Sequence, residues 1–103
     1  MQTYAKKRIE IITEAILESR LEQLLNEFSV TGYTVLPAIG GRGHDGVWRR
    51  EGQVGASGQM IVVLCIVDPS RSEDVVEAIY GLIVDRIGIV SVSDVSVIRS
   101  DHF

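Results

Sequence analysis

The residues best suited to chemistry lie together in Gly40-Gly41-Arg42-Gly43, a glycine run around one guanidinium, placed directly after a β-rich segment. Glycines let backbone N–H groups approach an anion, and arginine adds charge and a forked donor. Trp48, Arg49, Arg50, Glu51 and Gln53 follow in the same stretch, and seven of the ten glycines fall within residues 40–58. Three arginines there face two acids, a balance of +1, so the rest of the chain carries −5 and the whole −4. Read alone, the segment fits an anion-binding element and a turn-rich hairpin equally well, because it has neither P-loop nor dinucleotide spacing. Trp48, a large apolar side chain among glycines, reads as a contact residue rather than core. Arg49 and Arg50 suit a phosphate, a partner surface or solvent, and Arg99 suits solvent or a ligand.

Catalysis finds little support. His44 and His102 stand far apart, no segment spaces ligands for a metal, and Glu14, Glu18, Glu22 and Glu27 read as a solvated helix face. The chain is expected not to be an enzyme and to need no cofactor. Its lone Cys65 sits within the apolar run 60–67, as a small buried hydrophobe with no disulfide partner. With 103 residues, 46% apolar and 23% charged, the chain fits one domain, residues 1–103, and excludes disorder and a disulfide scaffold. Net acidity argues against nucleic acid as a partner. A polar, basic start followed by Glu10 and Glu14 argues against a signal peptide and membrane insertion, so a cytoplasmic location is expected.

The elements that must hold these residues follow from apolar spacing. Isoleucines in 8–13 predict a strand, and Thr13 is placed to cap a helix whose stripe is Ile16, Leu17, Leu21, Leu24, Leu25 and Phe28. A second strand spans 33–39, with Pro37 confining it to an edge or a bend. Residues 40–58 lack a period and read as a long mobile loop. A third strand, 60–67, precedes a helix over about 70–86, with a Ser70/Glu73 capping box, an apolar stripe through Val75, Val76, Ile79, Tyr80, Leu82 and Ile83, and Gly88 as its stop. The last strand runs from Ile89, and the change of phase between Val92 and Val95 predicts a bulge or break at Ser93-Asp94. Two βαβ units in this length predict an α+β, ferredoxin-like βαββαβ fold, a four-stranded antiparallel sheet with two helices on one face. Because 60–67 is apolar at every position, both its faces need cover, which a symmetric oligomer with facing sheets would supply.

These segments resemble the PII signal-transduction family along the whole chain. Lys6-Lys7-Arg8-Ile9-Glu10-Ile11-Ile12 is similar to its first strand, Thr31-Gly32-Tyr33-Thr34-Val35 to its second, and Asp74-Val75-Val76-Glu77-Ala78-Ile79 to its second helix. Gly32-Tyr33-Thr34-Val35, Gly40-Gly41-Arg42-Gly43 and Arg50-Glu51-Gly52-Gln53 are most similar to PII-like proteins associated with bicarbonate transporters and carboxysomes. The resemblance implies a homotrimer, its sheets facing inward, with an adenine nucleotide in each cleft between subunits. It places a T-loop, the effector loop, at about 40–58, a B-loop region at about 85–90 and a C-terminal segment at about 94–103. It assigns nucleotide contacts to Thr34, Gly40, Gly41, Arg42, Gly43, Ile87, Gly88, Ile89, Val90 and Arg99. Arg42, Trp48, Arg49, Arg50, Glu51 and Gln53 would meet bicarbonate, another small anion, or a partner.

The chain departs from the family in ways that bear on the ligand. The family's B-loop, rich in Gly and Lys, is reduced to Asp85-Arg86-Ile87-Gly88-Ile89-Val90, Gln59-Met60 stands where a basic contact is usual, and no tyrosine lies within 40–58. Fewer cations suit a less charged ligand, so ADP or AMP is expected over ATP. The expected target is a membrane transporter or a carboxysome-associated protein, within bicarbonate metabolism. A nitrogen-regulatory sensor, or a nucleotide-independent docking module that uses Trp48 and the glycine-rich loop, are the alternatives.

Overall fold

The computed structural model describes residues 1–43, 46–49 and 59–103. Strand β1 (Tyr4–Glu14) extends beyond 8–13 at both ends, and Thr13 belongs to it instead of capping a helix. Its side chain is wholly buried, and its hydroxyl donates to the Ile87 carbonyl at 2.8 Å. A 3-10 turn (Ala15–Leu17) leads into α1 (Glu18–Glu27), neither with a side-chain cap. Leu17, Leu21 and Leu25 are buried one turn apart, whereas Ile16, 60% exposed, falls off the stripe because the 3-10 turn changes the helical phase.

Strand β2 (Tyr33–Ala38) pairs with β5 (Met60–Val67) at the sheet edge, where Pro37, lacking an N–H, is tolerated opposite Ile61. Between them, β3 (Gly40–Gly43) and β4 (Gly46–Arg49) form an antiparallel hairpin where a loop without elements was expected. Glycines have no side chains to show a period. The remainder of 40–58, residues 44, 45 and 50–58, lies outside the described residues. Helix α2 (Pro69–Ile83) starts on Pro69 with Asp68 before it, so Ser70 is already helical and the Ser70/Glu73 box does not form. Val75, Ile79 and Ile83 are buried, while Tyr80 is 59% exposed and lies outside the stripe. Gly88 opens β6 (Gly88–Val97) rather than ending the helix.

Strand β6 pairs with β1 from Thr13↔Gly88 to Tyr4↔Val97 in one unbroken register, without the expected bulge. The valines change phase because Val90 and Val92, opposite Ile11 and Ile9, face the helices, whereas Val95 and Val97 face the other side. The sheet order is β2-β5-β1-β6, all antiparallel, with both helices on one face: the ferredoxin-like arrangement expected. Ile9, Ile11, Val63, Cys65 and Val67 meet Leu21, Leu25, Val75 and Ile79 in the core, each fully buried aliphatic side chain contributing about 1.5–3 kcal/mol.

On the opposite face the same alternation sets out Ile12, Val62, Leu64 and Ile66, all half-buried, with Leu36 and Ile89 exposed. Among the described residues, β5 is therefore fully covered on one face only.

Candidate functional site

On this open face the register gathers a hollow of about 700 Å³. Ile12 opposes both Val62 and Ile89, and Ala38 opposes Met60, so these side chains share one face and form its floor. Gly40, Gly41, Arg42 and Gly43 from β3, Trp48 from β4, and Ile87, Gly88 and Ile89 form its walls. Arg42 is the one charged side chain among the described lining residues.

The glycine wall is held by packing. Gly41 pairs with Trp48 across the hairpin, and a Cβ on Gly41 would lie 2.7 Å from the indole Cζ2, so the ring rests on the bare backbone. Gly46, at φ 106, takes a left-handed conformation that suits glycine at the start of β4. The facing wall is held by β1: Thr13 donates to the Ile87 carbonyl, and Glu14 accepts from the Ile87 N–H at 3.4 Å. A Cβ at Gly88 would stand 3.0 Å from Thr13 Oγ1 and 3.1 Å from the Ile12 carbonyl, which keeps this wall close against β1.

A second hollow, of about 480 Å³, lies further along the same face, where Arg8, Thr34, Leu64 and Ile66 point outward with Phe103 beside them. Burial pushes the Cys65 thiol, at its margin, up to about 11, which makes it a poor nucleophile. Burial and the neighbouring Glu22 and Glu18 carboxylates raise the Tyr33 phenol.

Of the residues singled out for a nucleotide, Gly40, Gly41, Arg42, Gly43, Ile87, Gly88 and Ile89 line the first hollow, and Thr34 lines the second. Val90 faces the helices and packs on the core, because it opposes Ile11. Arg99 lines neither: its Nε and a terminal nitrogen donate to both Asp101 oxygens at 3.0 and 3.1 Å, which raises the guanidinium and holds the Asp101 carboxyl down at about 2. Trp48 lines the first hollow, Arg49 lies opposite Gly40, and Arg50, Glu51 and Gln53 fall outside the described residues. Ile12, Ala38, Met60, Val62 and Phe103 were not anticipated; the unbroken apolarity of 60–67 was the signal for two of them.

No curated protein matches the chain in sequence. CPII from Thiomonas intermedia K12, described as a nitrogen regulatory PII-like protein and solved with ADP, AMP and bicarbonate, superposes with a TM-score of 0.86 at 24% identity, covering 95% of this chain and 92% of its own. CPII solved with ADP and bicarbonate gives 0.82 at 26% identity, over 95% and 93%. A protein of Thermus thermophilus named for its likeness to PII signaling proteins gives 0.77 at 26%, over 94% and 93%. The model of the family described as nitrogen regulatory protein P-II matches residues 6–102, nearly the whole chain, and the chain belongs to that family.

Proposed function

We propose that the chain is a regulatory protein that binds ADP or AMP in preference to ATP between the subunits of a homotrimer, and that residues 40–58 signal occupancy to a partner in bicarbonate metabolism. The observation that carries this reading is the first hollow: a glycine-rich hairpin, whose Arg42 lines the hollow, faces a wall formed by Ile87, Gly88 and Ile89. Gly40, Gly41, Gly43 and Gly88 would let a phosphate approach the backbone beside a single guanidinium, and so little positive charge suits a diphosphate or monophosphate better than a triphosphate.

The two hollows fit opposite ends of a nucleotide. Thr34 and Ala38 are four residues apart on β2, about 13 Å along a strand. In a ring of three the contacts are head-to-tail, so the glycine-walled hollow of one subunit would meet the Thr34 hollow of the next, one holding phosphates and the other the base. The half-covered apolar face of β5 supports the same assembly, since three such faces would bury one another. Bicarbonate, found with ADP in CPII, would take the charge of Arg42, Arg49 or Arg50, and the partner would be a transporter or a carboxysome-associated protein.

A nucleotide-independent docking module is the second reading, favoured by Trp48 on an otherwise glycine-rich hairpin. Target capture from lysate by wild type and Arg42→Ala, with and without ADP, separates the two. The sensor loses ADP-dependent capture in the variant; a docking module captures equally throughout. A bicarbonate transporter among the captured proteins supports the carbon role, and an ammonium transporter supports a nitrogen role instead.

A further inference from the structure

Lys6 is the charged side chain that the fold treats most unusually. It lies in β1, on the open face of the sheet, yet it is only 7% exposed. An ammonium held out of water needs partners, and it has three, from distant parts of the chain. Its Nζ pairs with the Asp68 carboxylate, donates to the Ser100 carbonyl at 3.4 Å and lies 5.3 Å from the centre of the Phe103 ring.

Asp68 immediately precedes α2, where an aspartate commonly caps the first helical turn with its side chain; it makes no such bond, and its carboxylate goes to Lys6. The segment beyond β6 is also folded in a defined way. Asp101 binds Arg99 through both oxygens and His102 Nε2 at 2.9 Å, and His102 holds φ at 73, uncommon for a residue other than glycine. Phe103, at the end of this segment, walls the hollow that contains Thr34.

We propose that Lys6 is a positioning residue: it pins residues 98–103 to the sheet so that the Phe103 ring stands as an aromatic wall of the Thr34 hollow, ready to stack on a planar base. This rests on the nucleotide reading above for its ligand, but not for the pin. Phe103 contacts the base, and Lys6 acts only through the segment it holds.

Two measurements test this. Trypsin cleavage after Arg99, followed by mass spectrometry of the 1–99 fragment without nucleotide, reads release of the segment. Lys6→Met is expected to be cut at least about fivefold faster than wild type and Lys6→Arg at close to the wild-type rate, while circular dichroism shows all three equally folded. Equal rates for wild type and Lys6→Met overturn the pin. Calorimetric titration with ADP then reads the wall: Lys6→Met and Phe103→Ala each weaken binding by about three- to tenfold, and the double variant is no weaker than the worse single one. Additive losses overturn the claim that Lys6 acts through Phe103. Absence of ADP binding by the wild type overturns the nucleotide reading and the wall with it, and the pin is then decided by the cleavage rates alone.

Discussion

Replacing Thr13 by valine removes one hydrogen bond that holds a wall of the first hollow while nearly preserving shape. The hydroxyl is wholly buried and donates at 2.8 Å, a normal O–H···O length. Such a bond contributes about 1 kcal/mol net, and leaving its acceptor unsatisfied raises the loss toward about 2. Ile87 is 59% exposed, so water reaches its neighbourhood and the loss falls at the lower end, about 1 kcal/mol, or about 4–8 °C in Tm for a domain of this size. Thr13→Ser keeps the bond and loses one buried methyl, also close to about 0.8 kcal/mol, so stability alone does not distinguish them. Exchange of the Ile87 amide does, because that N–H faces Glu14 within the same anchored wall. Urea unfolding at one fixed protein concentration, with amide exchange by NMR, should find both variants destabilised but Ile87 exchanging several-fold faster only in Thr13→Val. A Thr13→Val protein as stable as wild type, or equal loosening of Ile87 in both variants, would refute the reasoning.

Gly41→Ala sets a Cβ 2.7 Å from the indole it now supports. Trp48 is the sole tryptophan, so its emission should shift to the red as the ring leaves the hairpin, and an unchanged spectrum would count against this packing. Val62→Glu places a charge in the open face, outside the helix-covered core; for the proposed trimer, sedimentation should show the mass falling from three chains to one with far-UV dichroism retained, and an unchanged assembly would contradict burial of that face between subunits. Asp101 is held at about 2 by Arg99, against an ordinary 3.8. Its pairing is therefore complete above pH 3.8 and is lost as pH falls through about 2; the carboxyl carbon shift should titrate near 2 in wild type and at higher pH in Arg99→Ala, where the largest lowering cause is gone, and identical titrations would remove the pair.

The fold was legible where side chains carry a period. Leu17, Leu21 and Leu25, and Val75, Ile79 and Ile83, declare a helix face, and Pro37 declares an edge. What was misread lies where one residue serves two geometries. Thr13 has the chemistry of a cap and the β-branched shape of a strand residue, and only the closeness of Ile87, far along the chain, decides between them. The valines of β6 show a phase change that a bulge and a change of face explain equally, until the register with β1 is known. For the site, the glycines and Arg42 were visible as a cluster. The floor was not, because Ile12 and Ala38 become neighbours of Met60 and Val62 only through strand pairing; nor was the bond from Lys6 to Ser100, which joins residues 94 positions apart.

Titration of the purified protein with ADP, AMP and ATP by calorimetry, each with and without bicarbonate, tests the central claim most directly. One site per chain is expected, with ADP or AMP bound more tightly than ATP and nucleotide affinity raised by bicarbonate. ATP bound much more tightly than either, or no nucleotide bound at all, would contradict it.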